Sequence, residues 1–69
     1  MGKPKELKDR LFGAAVLKAS FRLRGEEGGF AFRTIYPGVL RDLQLEDAQV
    51  EAFIRDNRDA VEAAARGTP

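Results

Sequence analysis

The sequence predicts an α+β domain in the order α-β-β-α, and three observations carry that prediction. Residues 5–19 and 46–66 place apolar side chains at the three-to-four-residue spacing of amphipathic helices. Between them, SFRLRGEEGGFAFRTIY (residues 20–36) alternates aromatic or aliphatic residues with arginines on both sides of a glycine-rich break, the signature of a β-hairpin. Tyr36-Pro37-Gly38 then ends the alternation with a dipeptide suited to the centre of a type II turn.

Residues 1–4 read as a flexible lead, residues 5–66 as one small domain and residues 67–69 as a tail. In the first helix Leu7, Leu11, Ala14, Ala15 and Lys18 follow one row, and Phe12, Val16 and Ala19 widen it. Pro4 suits a first turn, where its missing amide hydrogen costs nothing. Gly13 weakens the helix interior by about 1 kcal/mol relative to alanine. It marks either a close approach by another element or a tolerated weak point.

In the hairpin, Phe21 and Leu23 face one way and Arg22 and Arg24 the other. After the break Phe30, Phe32, Thr34 and Tyr36 share a face opposite Ala31, Arg33 and Ile35. Pairing Leu23 with Phe30 and Phe21 with Phe32 aligns the apolar rows, leaves Gly-Glu-Glu-Gly as the connection and gathers three arginines on one face. A one-residue slip would set aromatics against arginines. Val39, Leu40 and Leu43 then cap the core from a short helical turn or an irregular loop.

The last helix places Val50, Phe53, Ile54, Asn57, Val61, Ala64 and Ala65 on one side. Glu46 and Asp47 suit its positive start and Arg66 its negative end. Asp56 could cap a second helix, but Ile54 and Val61, seven residues apart, favour one continuous helix over residues 46–66. Gly67-Thr68-Pro69 marks the stop.

With 69 residues the core is small, and the apolar fraction of 43% includes ten alanines. Packing volume must come from five phenylalanines, Tyr36 and the Leu, Ile and Val set. A two-stranded sheet also leaves two bare edges. Pairing the hairpin with that of a second copy would give a four-stranded sheet under two C-terminal helices, so a homodimer is expected. The interface or core set is Phe21, Leu23, Phe30, Phe32, Tyr36, Val50, Phe53, Ile54 and Val61.

The residue inventory constrains the chemistry. Without cysteine there is no disulfide, thiol nucleophile or cysteine-ligated zinc, and without histidine the commonest metal ligand and neutral-pH base is missing. Ser20 and Thr34 thus have no histidine to activate them. Glu26 and Glu27 lack a cage for a cation, and GEEGG lacks the lysine and hydroxyl of a phosphate-binding loop. Lys18 reads as an amphipathic side chain reaching to water. No enzyme activity, cofactor or metal is therefore expected.

The net charge of +1 hides an asymmetry: residues 1–10 carry +2, residues 11–41 carry +3 and residues 42–69 carry −4. Arg22, Arg24 and Arg33 on one ribbon face, extended by Lys3, Lys5, Lys8 and Arg10, offer an alternative function in DNA or RNA binding. The acidic hairpin tip opposes entry into a groove. Phe30 and Phe32 could stack on bases, but the core has a stronger demand for them. The acid-rich last helix argues against membrane binding, and its apolar side could also receive a different protein. No apolar run suits a signal peptide or a membrane span, so a cytoplasmic setting is expected. The sequence thus favours a non-enzymatic, homodimeric protein-interaction module over a nucleic-acid-binding accessory protein.

Overall fold

In the computed structural model, which describes residues 6–67, the chain runs through four helices. These are α1 (Leu7–Leu23), α2 (Phe30–Leu43), α3 (Asp47–Asp56) and α4 (Arg58–Ala65). There is no strand among the described residues, which overturns the α+β fold, the hairpin and the four-stranded sheet of a hairpin-paired dimer. Pro4 and Lys5, expected in the first turn, lie outside the described residues.

The supposed hairpin is divided between two helices. Its first half extends α1, whose buried side comprises Ala14, Ala15, Lys18, Ala19 and Phe21. Its second half opens α2, where Phe32, Tyr36, Val39, Leu40 and Leu43 recur at helical spacing toward the rest of the protein. Two residues four apart satisfy either period, so the alternation of Phe32, Thr34 and Tyr36 did not distinguish strand from helix. The helices also satisfy their backbone internally, whereas a lone hairpin would leave its edges unpaired.

The glycine-rich break is a helix stop. Gly25 adopts φ +72°, and its amide donates to the Arg22 carbonyl at 3.1 Å while that of Glu26 donates to the Phe21 carbonyl at 2.8 Å. These are the two bonds of a Schellman motif, in which glycine takes the left-handed position without a Cβ penalty. The same motif ends α2: the amides of Gln44 and Leu45 donate to the carbonyls of Arg41 and Leu40 at 3.1 and 2.9 Å. Here the left-handed residue is Gln44, at φ 59°.

Pro37 does not end an element, as the sequence had suggested, but sits inside α2. It removes the donor that the Arg33 carbonyl would meet one turn later. Because Pro37 is exposed, that carbonyl lies on the side open to water. The expected continuous last helix is likewise corrected to two. Glu46 opens α3, its amide donating to Gln49 Oε1 at 2.9 Å. At Asn57, with φ −130° and ψ 37°, the backbone leaves helical geometry. The Asn57 side chain donates to the Phe53 carbonyl at 3.1 Å, and the Val61 amide donates to the Asn57 carbonyl at 3.0 Å to begin α4.

The first helix is the hub: α2, α3 and α4 each pack on it, and α3 also meets α4. Ala14, Ala15 and Ala19 join Leu45, Val50, Ile54 and Val61 in the core, bordered by Leu11, Val16, Val39, Leu40, Leu43, Phe53 and Ala65. A second, aromatic cluster lies between α1 and α2, where Phe21 meets Phe32 edge-on at 5.3 Å and Phe32 stacks on Tyr36 at 4.6 Å. Phe12 meets Phe53 edge-on at 6.3 Å. Leu23 and Phe30, expected to pack face to face, are exposed. A Cβ added at Gly13 would meet nothing within 4 Å, so this glycine is a weak point and not a site of close packing.

Two substitutions test these assignments. Gln44→Gly is expected to raise unfolding stability by about 1 kcal/mol by relieving the left-handed conformation. Pro37→Ala is expected to raise it by about 1–2 kcal/mol, since the restored helix bond outweighs the greater freedom of the unfolded chain. Urea unfolding monitored by circular dichroism checks both; a loss of stability on Pro37→Ala would instead suit a Pro-Gly turn.

Candidate functional site

Two features stand out from the packing: a charged cluster joining three helices and the outward side of α2. Lys18 anchors the first. It is 5% exposed on the buried side of α1, and its Nζ donates to Asp47 Oδ1 at 2.6 Å and pairs with Glu51. Both carboxylates belong to α3, one turn apart. Tyr36 of α2 donates its hydroxyl to the same Asp47 oxygen at 2.6 Å, and the Lys18 ammonium lies 5.1 Å from the tyrosine ring centroid.

Arg22, one turn beyond Lys18, continues the cluster. Its guanidinium grips both oxygens of Glu27 at 2.9 and 2.8 Å and also donates to Glu51 at 2.8 Å. Each carboxylate is therefore neutralised by a cation on α1. Hydrogen bonds from Lys18 and then Tyr36 hold Asp47 below the usual carboxylate range, and the bond from Lys18 does the same for Glu51. The Arg22 bond lowers Glu27. Burial would lower Lys18, but the bonds and charges of Asp47 and Glu51 outweigh it and raise the ammonium above its ordinary value. Tyr36 is pushed upward by burial and then by its bond to Asp47. Such carboxylates stay ionised and engaged near neutral pH, as clamps between helices do and proton shuttles do not.

Among the described residues, the expected basic face is divided between α1 with its C-terminal cap and α2. Arg22 belongs to the cluster. Arg24 donates to Glu26 at 3.1 Å and lies over the Phe21 ring at 4.7 Å. Arg10 donates to the Leu43 carbonyl at 2.7 Å, which fastens α1 to the negative end of α2. Lys8 is exposed in the first turn of α1, and Arg33 is exposed on α2. Lys3 and Lys5 lie outside the described residues. The ribbon that was to present Arg22, Arg24 and Arg33 together does not exist among the described residues.

The expected interface or core residues also separate. Phe21, Tyr36, Val50, Ile54 and Val61 are buried, and Phe32 and Phe53 are half-buried. Phe30 is 78% exposed, and Leu23 and Ile35 are each nearly half exposed. At 100° per residue, Phe30, Thr34, Pro37 and Arg41 form one strip on the side away from the core-facing row of α2, with Ala31 and Gly38 beside it and Ile35 further round, toward Val39. All are exposed except the half-buried Gly38. Between residues 30 and 38 the only charge on this side is Arg33, at its edge. The sequence reading missed Thr34, Pro37 and Arg41 as a surface because it assigned residues 30–36 the period of a strand.

Comparison of the chain with protein-family models, with curated proteins and with solved structures finds no match. Among the described residues, no helix is long and apolar enough to cross a membrane.

The cluster makes stability depend on pH in a defined direction. Asp47, Glu51 and Glu27 lie below their unfolded values, so their contribution is present above about pH 5 and fades as pH falls through the folded values. Lys18 and Tyr36 lie above theirs, so their contribution is present below about pH 10 and fades as pH rises. Lys18→Met keeps the aliphatic packing and removes the charge. It is expected to cost about 1 kcal/mol near neutral pH, a modest figure because Asp47 and Glu51 remain 54% and 41% exposed and are screened by water. Urea midpoints measured from pH 3 to pH 8, roughly the range of carboxylate titration, should show a shallower acid limb in the variant.

Proposed function

We propose that this chain is a non-catalytic helical assembly module that self-associates through the outward face of α2. The observation that carries the reading is that α2 exposes apolar side chains as well as burying them, with Arg33, Thr34, Arg41 and Asp42 among the exposed ones. One side holds Phe32, Tyr36, Val39, Leu40 and Leu43 toward α1 and the core, while the other exposes Phe30, Ala31, Ile35 and Pro37. A surface helix ordinarily sets charged and polar residues opposite its core stripe, and a 78% exposed phenylalanine there is the exception in α2. The nucleic-acid alternative loses support because carboxylates hold two of its three hairpin arginines.

The available length limits the affinity. Fourteen residues span about 21 Å, so one such face per subunit buries less than the roughly 1,200–2,000 Å² of a standard stable interface. Association in the micromolar to millimolar range is expected. Sedimentation equilibrium from about 10 μM to 1 mM, a range set by that affinity class, should show a monomer–dimer transition. Combining Phe30→Ser with Ile35→Ser should shift the chain to monomer without loss of helical circular dichroism. A wild-type chain that stays monomeric throughout would reject the reading.

A further inference from the structure

We infer that the two copies pack α2 against α2 in an antiparallel, two-fold arrangement, with Phe30 of each subunit seated on the partner's Arg41. This geometry rests on the self-association proposed above and specifies which residues meet. Eleven residues complete just over three helical turns, so Phe30 and Arg41 lie on nearly the same line at opposite ends of the exposed strip, about 16 Å apart. A two-fold axis between positions 35 and 36 exchanges these ends. It also brings Thr34 beside the partner's Pro37.

Complementarity singles out this orientation. An arginine over an aromatic face is attractive, and the fold already uses such pairs: Arg24 lies 4.7 Å from the Phe21 ring and Lys18 lies 5.1 Å from that of Tyr36. Parallel packing would instead set Arg41 against Arg41. The antiparallel pair separates the two by about 16 Å, beyond the screening length of roughly 8 Å at physiological salt. Thr34 keeps the centre of the strip low, and the Arg41 side chain reaches back to 3.9 Å from where a Cβ at Gly38 would stand.

Other occupants fit less well. An acidic amphipathic helix would find only Arg33 and Arg41, with Asp42 exposed beside the latter. The outer side of α3 and α4 in a second copy presents alternating charges at Arg55, Asp56, Arg58 and Asp59, with no apolar row to cover Phe30 and Ile35. Residues 30 and 41 are both exposed, so they can be exchanged with little effect on the fold.

The test is a reciprocal exchange followed by sedimentation equilibrium, with circular dichroism confirming helicity. Arg41→Glu sets an anion over the partner's Phe30, and Phe30→Lys sets a cation against the partner's Arg41. Each single substitution should weaken dimerisation by about tenfold or more. The doubly substituted chain pairs lysine with glutamate across the axis and should recover an affinity within about threefold of wild type, as residues in contact do. Dimerisation unaffected by either single substitution, or both singles impaired without recovery in the double, would overturn the antiparallel pairing while leaving self-association standing. A monomeric wild type would reject both.

Discussion

The close approach of α3 and α4 to the alanine side of α1 is the constraint on which the rest of the fold depends. Ala14 and Ala15 are fully buried and Ala19 nearly so, and the largest fully buried side chains around them are Val50 and Val61. Alanine contributes little apolar area of its own, but it loses no side-chain freedom in a helix and lets neighbouring backbones draw near. At roughly 25 cal/mol per Å² of buried apolar surface, such a core draws its stability from fit more than from bulk. Larger side chains at these positions would force the helices apart. The bulky aromatics are accordingly found at the periphery, between α1 and α2 and at the Phe12–Phe53 contact.

Lys18 follows from the same constraint. It continues the alanine row toward the C-terminal end of α1, where its ammonium meets Tyr36 of α2 and Asp47 and Glu51 of α3. An ammonium there is tolerable only with carboxylates in reach, and α3 supplies two from consecutive turns. Tyr36 then binds the same Asp47, so one α3 residue receives donors from both α1 and α2. Helices α2 and α3 are thereby registered through a shared acceptor. The cluster orients more than it stabilises, since its carboxylates remain in contact with water and the charge attraction is screened.

The helical character of residues 7–19 and of most of residues 47–65 was legible because their apolar spacing admits no strand. Residues 20–36 were misread because the turn chemistry supported the wrong period. Gly25 followed by two glutamates suits a hairpin connection as readily as a Schellman stop, and Pro37 is far commoner at an element's end than in its interior. The row Phe32, Tyr36, Val39, Leu40 and Leu43 was available, but it became visible only by reading through the proline. The Asp56-Asn57 interruption carries a capping signal, but Ile54 and Val61 keep their phase across it and so favour one helix. The bend at Asn57 preserves that phase while breaking the helix. At Lys18 the local signal was sound, an amine in an apolar row. Its partners were not identifiable, because nothing local connects it to residues 29 and 33 positions away.

The same physics explains why α2 differs from its neighbours. It is fastened chiefly to α1, and Tyr36 is its only buried residue, compared with five on α1. A proline interrupts its hydrogen bonding, a non-glycine residue occupies its left-handed C-terminal position, and its N-terminal residue is an exposed phenylalanine. Each feature weakens an isolated helix. Two polar bonds, from Arg10 to the Leu43 carbonyl and from Tyr36 to Asp47, hold the helix in register without adding apolar burial. Its outward side exposes Phe30, Ala31, Ile35 and Pro37 together with Arg33, Thr34, Arg41 and Asp42. The least supported helix of the domain is thus also the one through which self-association is proposed.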